Sequence, residues 1–170
     1  YNMVDSIVVG KFVGANALAA VGSSATTSMI LVGLMLGFPT GASIIASQFL
    51  GAGRPERIKA TISTALWFLL SLAVVITVLG FLLSRNIMGW MNVPENIFKD
   101  SLTYFRIYIA GTVFMALYNF FAALLRALGD STTPLIFLIV SSVLNIFGDL
   151  FFVVVLHMGV AGVAIATDLA

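Results

Sequence analysis

Residues 141–156 read SSVLNIFGDLFFVVVL, an apolar run that holds one carboxylate, Asp149, and one amide, Asn145, four residues before it. The run lies in a longer hydrophobic segment at about 133–156. A helix needs about 20 such residues to cross a bilayer. A carboxylate placed there costs roughly 2.5–3.5 kcal/mol on insertion scales, so it calls for a partner, a cavity or an ion. A second acid has the same setting. In YNMVDSIVVG, residues 1–10, Asp5 follows Tyr1 by four positions inside another apolar run.

The rest of the chain agrees with a membrane reading. Of its 170 residues, 61% are hydrophobic and 9% are charged, whereas a soluble domain carries about 25% charged residues. The class is an all-α membrane protein, a polytopic helical bundle. A net charge of +1 gives no electrostatic basis for nucleic-acid binding. No cysteine is present, which removes disulfides, thiolate metal sites and cysteine catalysis. The single histidine, His157, cannot build a histidine metal site alone. No nucleophile–base pair suggests an enzyme.

Four complete spans are expected, at about 18–50, 58–84, 102–128 and 133–156. The end of another precedes them, from 1 to about 13, and the start of a sixth follows from 159. The chain therefore reads as a piece of a longer protein. Its connections are short and carry breakers, such as Gly51-Ala52-Gly53-Arg54-Pro55 and Gly129-Asp130-Ser131-Thr132. The longer connection after Arg85 contains Met88-Gly89-Trp90-Met91, expected as a short amphipathic piece at the interface. The cluster Arg54, Arg57 and Lys59 argues that its connection is cytoplasmic. The span at 58–84 is nearly all aliphatic and suits lipid. The span at 18–50 is rich in Gly, Ser and Thr, which allow close helix approach, and Pro39 should bend it.

With membrane boundaries near Val13, His157 and Gly159, each of Asp5, Asp149 and Thr167 lies about eight residues, or roughly 12 Å, below one surface. Residues four apart share a helix face. Tyr1 with Asp5, Asn145 with Asp149, and Thr167 therefore offer a layer of oxygen groups from three helices at one depth. Such a layer suits a hard cation such as Na⁺ or a proton, and two close carboxylates titrate as a unit. The plainer alternative is hydrogen bonding between helices. Arg106 and Arg126 should snorkel to water, and His157 should be a solvated loop residue. Gly51-Ala52-Gly53 lacks the lysine of a phosphate loop. Asp168, a quarter-turn from Thr167, has no assigned role.

At these residues the chain resembles the multidrug and toxic compound extrusion (MATE) transporters. The matching stretches are residues 1–5 with VVGKFVGANALAAVG, then ASQFLGAGRPE, LRALGDSTTP, SVLNIFGDLFFV and GVAGVAIAT. The resemblance implies a 12-helix, two-lobe transporter, with this chain as most of the first lobe. It implies an antiporter of the prokaryotic plasma membrane, acting as a monomer among membrane lipid, that exports organic cations and drugs in exchange for Na⁺ or H⁺. It also implies a cation site at Tyr1, Asp5, Asn145, Asp149 and Thr167. A Na⁺ ion would lie at Asp149, Asn145, Tyr1 and Thr167, with Asp5 as proton acceptor and coupling partner. A lipid-linked oligosaccharide flippase of the same superfamily is the alternative, disfavoured because no Lys or Arg lies at mid-membrane depth. A channel or structural membrane subunit is the alternative from another class.

Overall fold

The computed structural model describes residues 2–170; of residues 2, 31 and 34–36 it describes the backbone alone. Six α-helices follow one another: α1 (Asn2–Phe12), α2 (Ala15–Gly51), α3 (Pro55–Trp90), α4 (Glu95–Ala127), α5 (Thr132–Leu150) and α6 (Gly159–Leu169). A π-helical turn, Phe151–Val155, prolongs α5. No strand occurs among the described residues. Among them α3, α4 and the stretch Thr132–Val155 are long and apolar enough to cross a membrane. At 37 residues α2 would be about 55 Å long, well beyond the thickness of a hydrocarbon core.

The local chemistry sets the breaks. Pro55 sits in the first turn of α3, where its missing N–H costs nothing. Before α5, Oδ1 of Asp130 accepts the backbone N–H of Thr132 at 3.1 Å and of Thr133 at 3.0 Å, satisfying donors that a helix start leaves open. Hydrogen bonds from the Thr133 side chain and from both N–H groups hold the Asp130 carboxyl below its ordinary value of 3.8.

One local expectation fails. Residues 88–91 do not form a separate interfacial piece. Helix α3 runs unbroken through Trp90, Met88 is fully buried and Trp90 stands exposed. Met88 packs in one apolar cluster with Ala20, Phe105 and Ile109, and this burial carries the helix past the expected boundary.

Helix α4 is the hub, packed on α2, α3, α5 and α6. Two hydroxyl residues of α2, Ser23 and Ser24, face it. Ser24 Oγ lies 3.0 Å from the Ser101 carbonyl oxygen and 2.8 Å from that of Ala20. Ser23 and Ser101 share a hydroxyl contact of 3.1 Å. Such bonds contribute about 0.6 kcal/mol each in a membrane; their larger effect is to fix register. Helix α3 turns Trp67, Val74, Val78 and Leu82 outward, the lipid-facing stripe its composition suggests. Arg106 does not simply reach for water. Its Nε donates to Ser84 Oγ at 2.8 Å, and its guanidinium lies 5.0 Å from the Phe81 ring centre, so α3 holds it at the surface of the bundle.

Candidate cation-binding site

Helices α1, α5 and α6 meet next to the π turn. A methyl added at Gly159 would touch Val13, so the α1–α2 and α5–α6 connections lie together at one end of the bundle. Close approach brings α5 and α6 into register: a Cβ placed on Gly148 would stand 3.0 Å from the Cβ of Ala166. The neighbours of that contact, Asp149 on α5 and Thr167 on α6, are thereby carried into one layer.

Four of the five residues expected at the site converge. Thr167 Oγ1 donates to Asp5 Oδ2 at 3.1 Å and accepts from Asn145 Nδ2 at 3.4 Å. The same hydroxyl lies 3.0 Å from the Val163 carbonyl, a competing acceptor for its one proton. The Asp149 carboxyl neighbours that of Asp5. Asp5, Asn145 and Asp149 are each 0% exposed. Tyr1 lies outside the described residues.

The layer is short of donors. Asp5 Oδ1, Asn145 Oδ1 and both oxygens of Asp149 are buried with no hydrogen-bond partner. Buried polar atoms in folded proteins are nearly always satisfied, and an unpaired buried charge is costly. Four orphaned oxygens beside one another therefore call for a positive species, either a proton on a carboxyl or a small metal cation among the oxygens. The all-oxygen donor set fits a hard cation. No group of three His, Cys, Asp or Glu suited to a metal occurs among the described residues.

Two further residues to which the sequence reading gave no role lie beside the layer, on α4 and α6. Tyr104 on α4 is fully buried, its hydroxyl is unpartnered, and Asp5, Asp149 and Asp168 all act on it electrostatically. Its ring stacks on that of Tyr108 at 5.9 Å. The signal was present in the sequence: Ser101, Tyr104, Tyr108 and Gly111 form a polar and small stripe along one face of α4. Asp168 is the second. Its carboxylate lies against the backbone of Gly111, where any side chain would collide with it. The π turn begins two residues after Asp149, with Leu156 N–H bonded to Phe151 O at 3.1 Å; such wide turns recur at functional sites.

The MatE family model matches residues 1–151. Probable multidrug resistance protein YoeA of Bacillus subtilis is 39% identical over 144 residues, covering 85% of this chain and 31% of the relative. Probable multidrug resistance protein YpnP of the same organism is 33% identical over the whole chain and 38% of its own length. The chain thus spans about a third of the curated relatives it matches. An inward-facing MATE transporter of the MOP superfamily superposes with a TM-score of 0.94 at 29% identity, over 99% of this chain and 38% of that one. An outward-facing MATE transporter gives 0.93, also at 29% identity, over 99% of this chain and 37% of that one.

Proposed function

Because the chain belongs to the MatE family, whose members are transporters rather than enzymes, we propose that it forms the first lobe of a secondary antiporter. The antiporter exports organic cations and drugs across a prokaryotic plasma membrane, acts as a monomer, and is driven by inward movement of Na⁺ or H⁺. The observation that carries this reading is the set of orphaned oxygens on Asp5, Asn145 and Asp149 around the Thr167 hydroxyl. A site lacking positive charge by that much is complete only when a cation or proton occupies it.

In this mechanism Asp149 ligates the ion directly. Asn145, Thr167 and Tyr1 supply neutral oxygens, and Asp5 accepts a proton and links α1 to α6. Loading the layer repacks α1 against α5 and α6 and lowers the affinity of the central cleft for its substrate. The ion drives transport only to the extent that it binds the two states with different affinity. Resemblance to both inward- and outward-facing transporters supports a lobe that keeps its backbone while access alternates, as rocking-lobe transporters do.

The test is efflux of an organic cation from proteoliposomes holding the full-length protein, with the Na⁺ and pH gradients collapsed separately. Loss of efflux on collapse of one gradient is expected. Efflux that survives collapse of both would rule out the antiport reading and leave the channel alternative.

A further inference from the structure

Helices α2 and α3 enclose a groove of about 710 Å³ near the α2–α3 turn, well away from the cation layer. On α2 it is lined by Gly37, Gly41, Ile45 and Phe49; on α3, by Arg57, Thr61, Thr64 and Phe68. Each set follows helical spacing, so each is one continuous face. Phe38 and Phe68, whose rings stack at 4.4 Å, also line it. Gly37 and Gly41 leave the space open, since a methyl on either would meet nothing within 4 Å.

The groove is polar at one end and apolar at the other. Arg57 sits in the first turn of α3, with Arg54 just before the helix and Lys59 two residues further along it. Among the described residues its guanidinium has no ion-pair partner, and no lining residue is acidic. From Arg57 to Phe68 the helix rises roughly 16 Å, about half of a 30 Å hydrocarbon core and hence one leaflet. A transported organic cation would be repelled at the Arg57 end and would find no carboxylate within.

We propose that this groove is a binding site for an anionic phospholipid of the surrounding leaflet. The phosphate sits at Arg57 with the Thr61 hydroxyl one turn along α3, and an acyl chain lies along Ile45 and Phe49 towards the Phe38–Phe68 stack. Basic pockets between membrane helices bind anionic headgroups by this chemistry. The bound lipid fills the space that Gly37 and Gly41 leave between α2 and α3.

Native mass spectrometry of the full-length protein tests it, with phosphatidylglycerol or phosphatidylcholine added to the detergent-solubilised sample. Wild-type protein should retain phosphatidylglycerol in preference to phosphatidylcholine. Arg57→Gln should reduce that preference by on the order of tenfold, the loss of one charge-assisted bond. Gly41→Leu, whose Cβ has room, should fill the groove and lower retention of both lipids while the melting temperature holds. If lipid retention by either folded variant equals that of the wild type, the proposal is overturned; this includes the case in which the second lobe, rather than lipid, covers the groove.

Discussion

The hydroxyl of Thr167 lies 3.1 Å from Oδ2 of Asp5, tying α6 to α1 across 162 residues of sequence. It is a neutral donor held against a buried carboxylate. Thr167→Val keeps the shape and deletes the bond. The account predicts a loss of about 1–3 kcal/mol for the carboxylate left without its donor, read as a lower midpoint in denaturation of the full-length protein. The driving-ion concentration giving half-maximal efflux should shift as well. An unchanged ion dependence would separate Thr167 from the site.

Tyr104→Phe makes the opposite prediction for stability. The Tyr104 hydroxyl is buried without a partner, so its removal breaks no hydrogen bond. Thermal stability should stay within about 1 kcal/mol of wild type or rise. Efflux measured against driving-ion concentration should still change, because the hydroxyl stands in the field of Asp5 and Asp149.

Gly111 and Asp168 form a tight pair between α4 and α6. Gly111→Ala drives a methyl into the Asp168 carboxylate and should cost about 1–3 kcal/mol, as overpacking does. Adding Asp168→Ala removes the colliding group and should recover most of that loss. Melting of both single variants and the double variant measures the coupling; additive effects would contradict the contact.

At the start of α5, hydrogen bonds hold the Asp130 carboxyl below 3.8, its ordinary value. A lowered value means that the charged form favours the fold. Its contribution is present above the unfolded value and is lost as pH falls through the folded one. Asp130→Ala should therefore melt at a lower temperature than wild type at neutral pH. The gap should narrow below about pH 4 as wild-type Asp130 takes up its proton.

Much of this was legible in the residues themselves. Apolar runs separated by Gly and Pro pointed to the helical segments, but α3 ends six residues beyond the expected 84 and α4 starts seven before the expected 102. The four-residue spacings and common depth gave a layer in which Asp5, Asn145, Asp149 and Thr167 do meet. What could not be read depended on packing. The burial of Met88 among Ala20, Phe105 and Ile109 extends α3 beyond its expected end. The hydroxyl of Ser84 and the ring of Phe81 hold Arg106, a choice that a count of charges does not contain. The α4 stripe of Ser101, Tyr104, Tyr108 and Gly111 is visible in the sequence, but which helices it meets is set by the packing of α4 on α2, α3, α5 and α6.

The most direct test of the central claim is substrate-driven counterflow in proteoliposomes containing the full-length protein. Export of an organic cation is followed together with uptake of ²²Na⁺ and of protons, in wild type and in Asp149→Asn. The account predicts that wild-type export is accompanied by uptake of one of the two ions and that Asp149→Asn abolishes this coupled uptake. Coupled uptake at the wild-type rate in Asp149→Asn would contradict it.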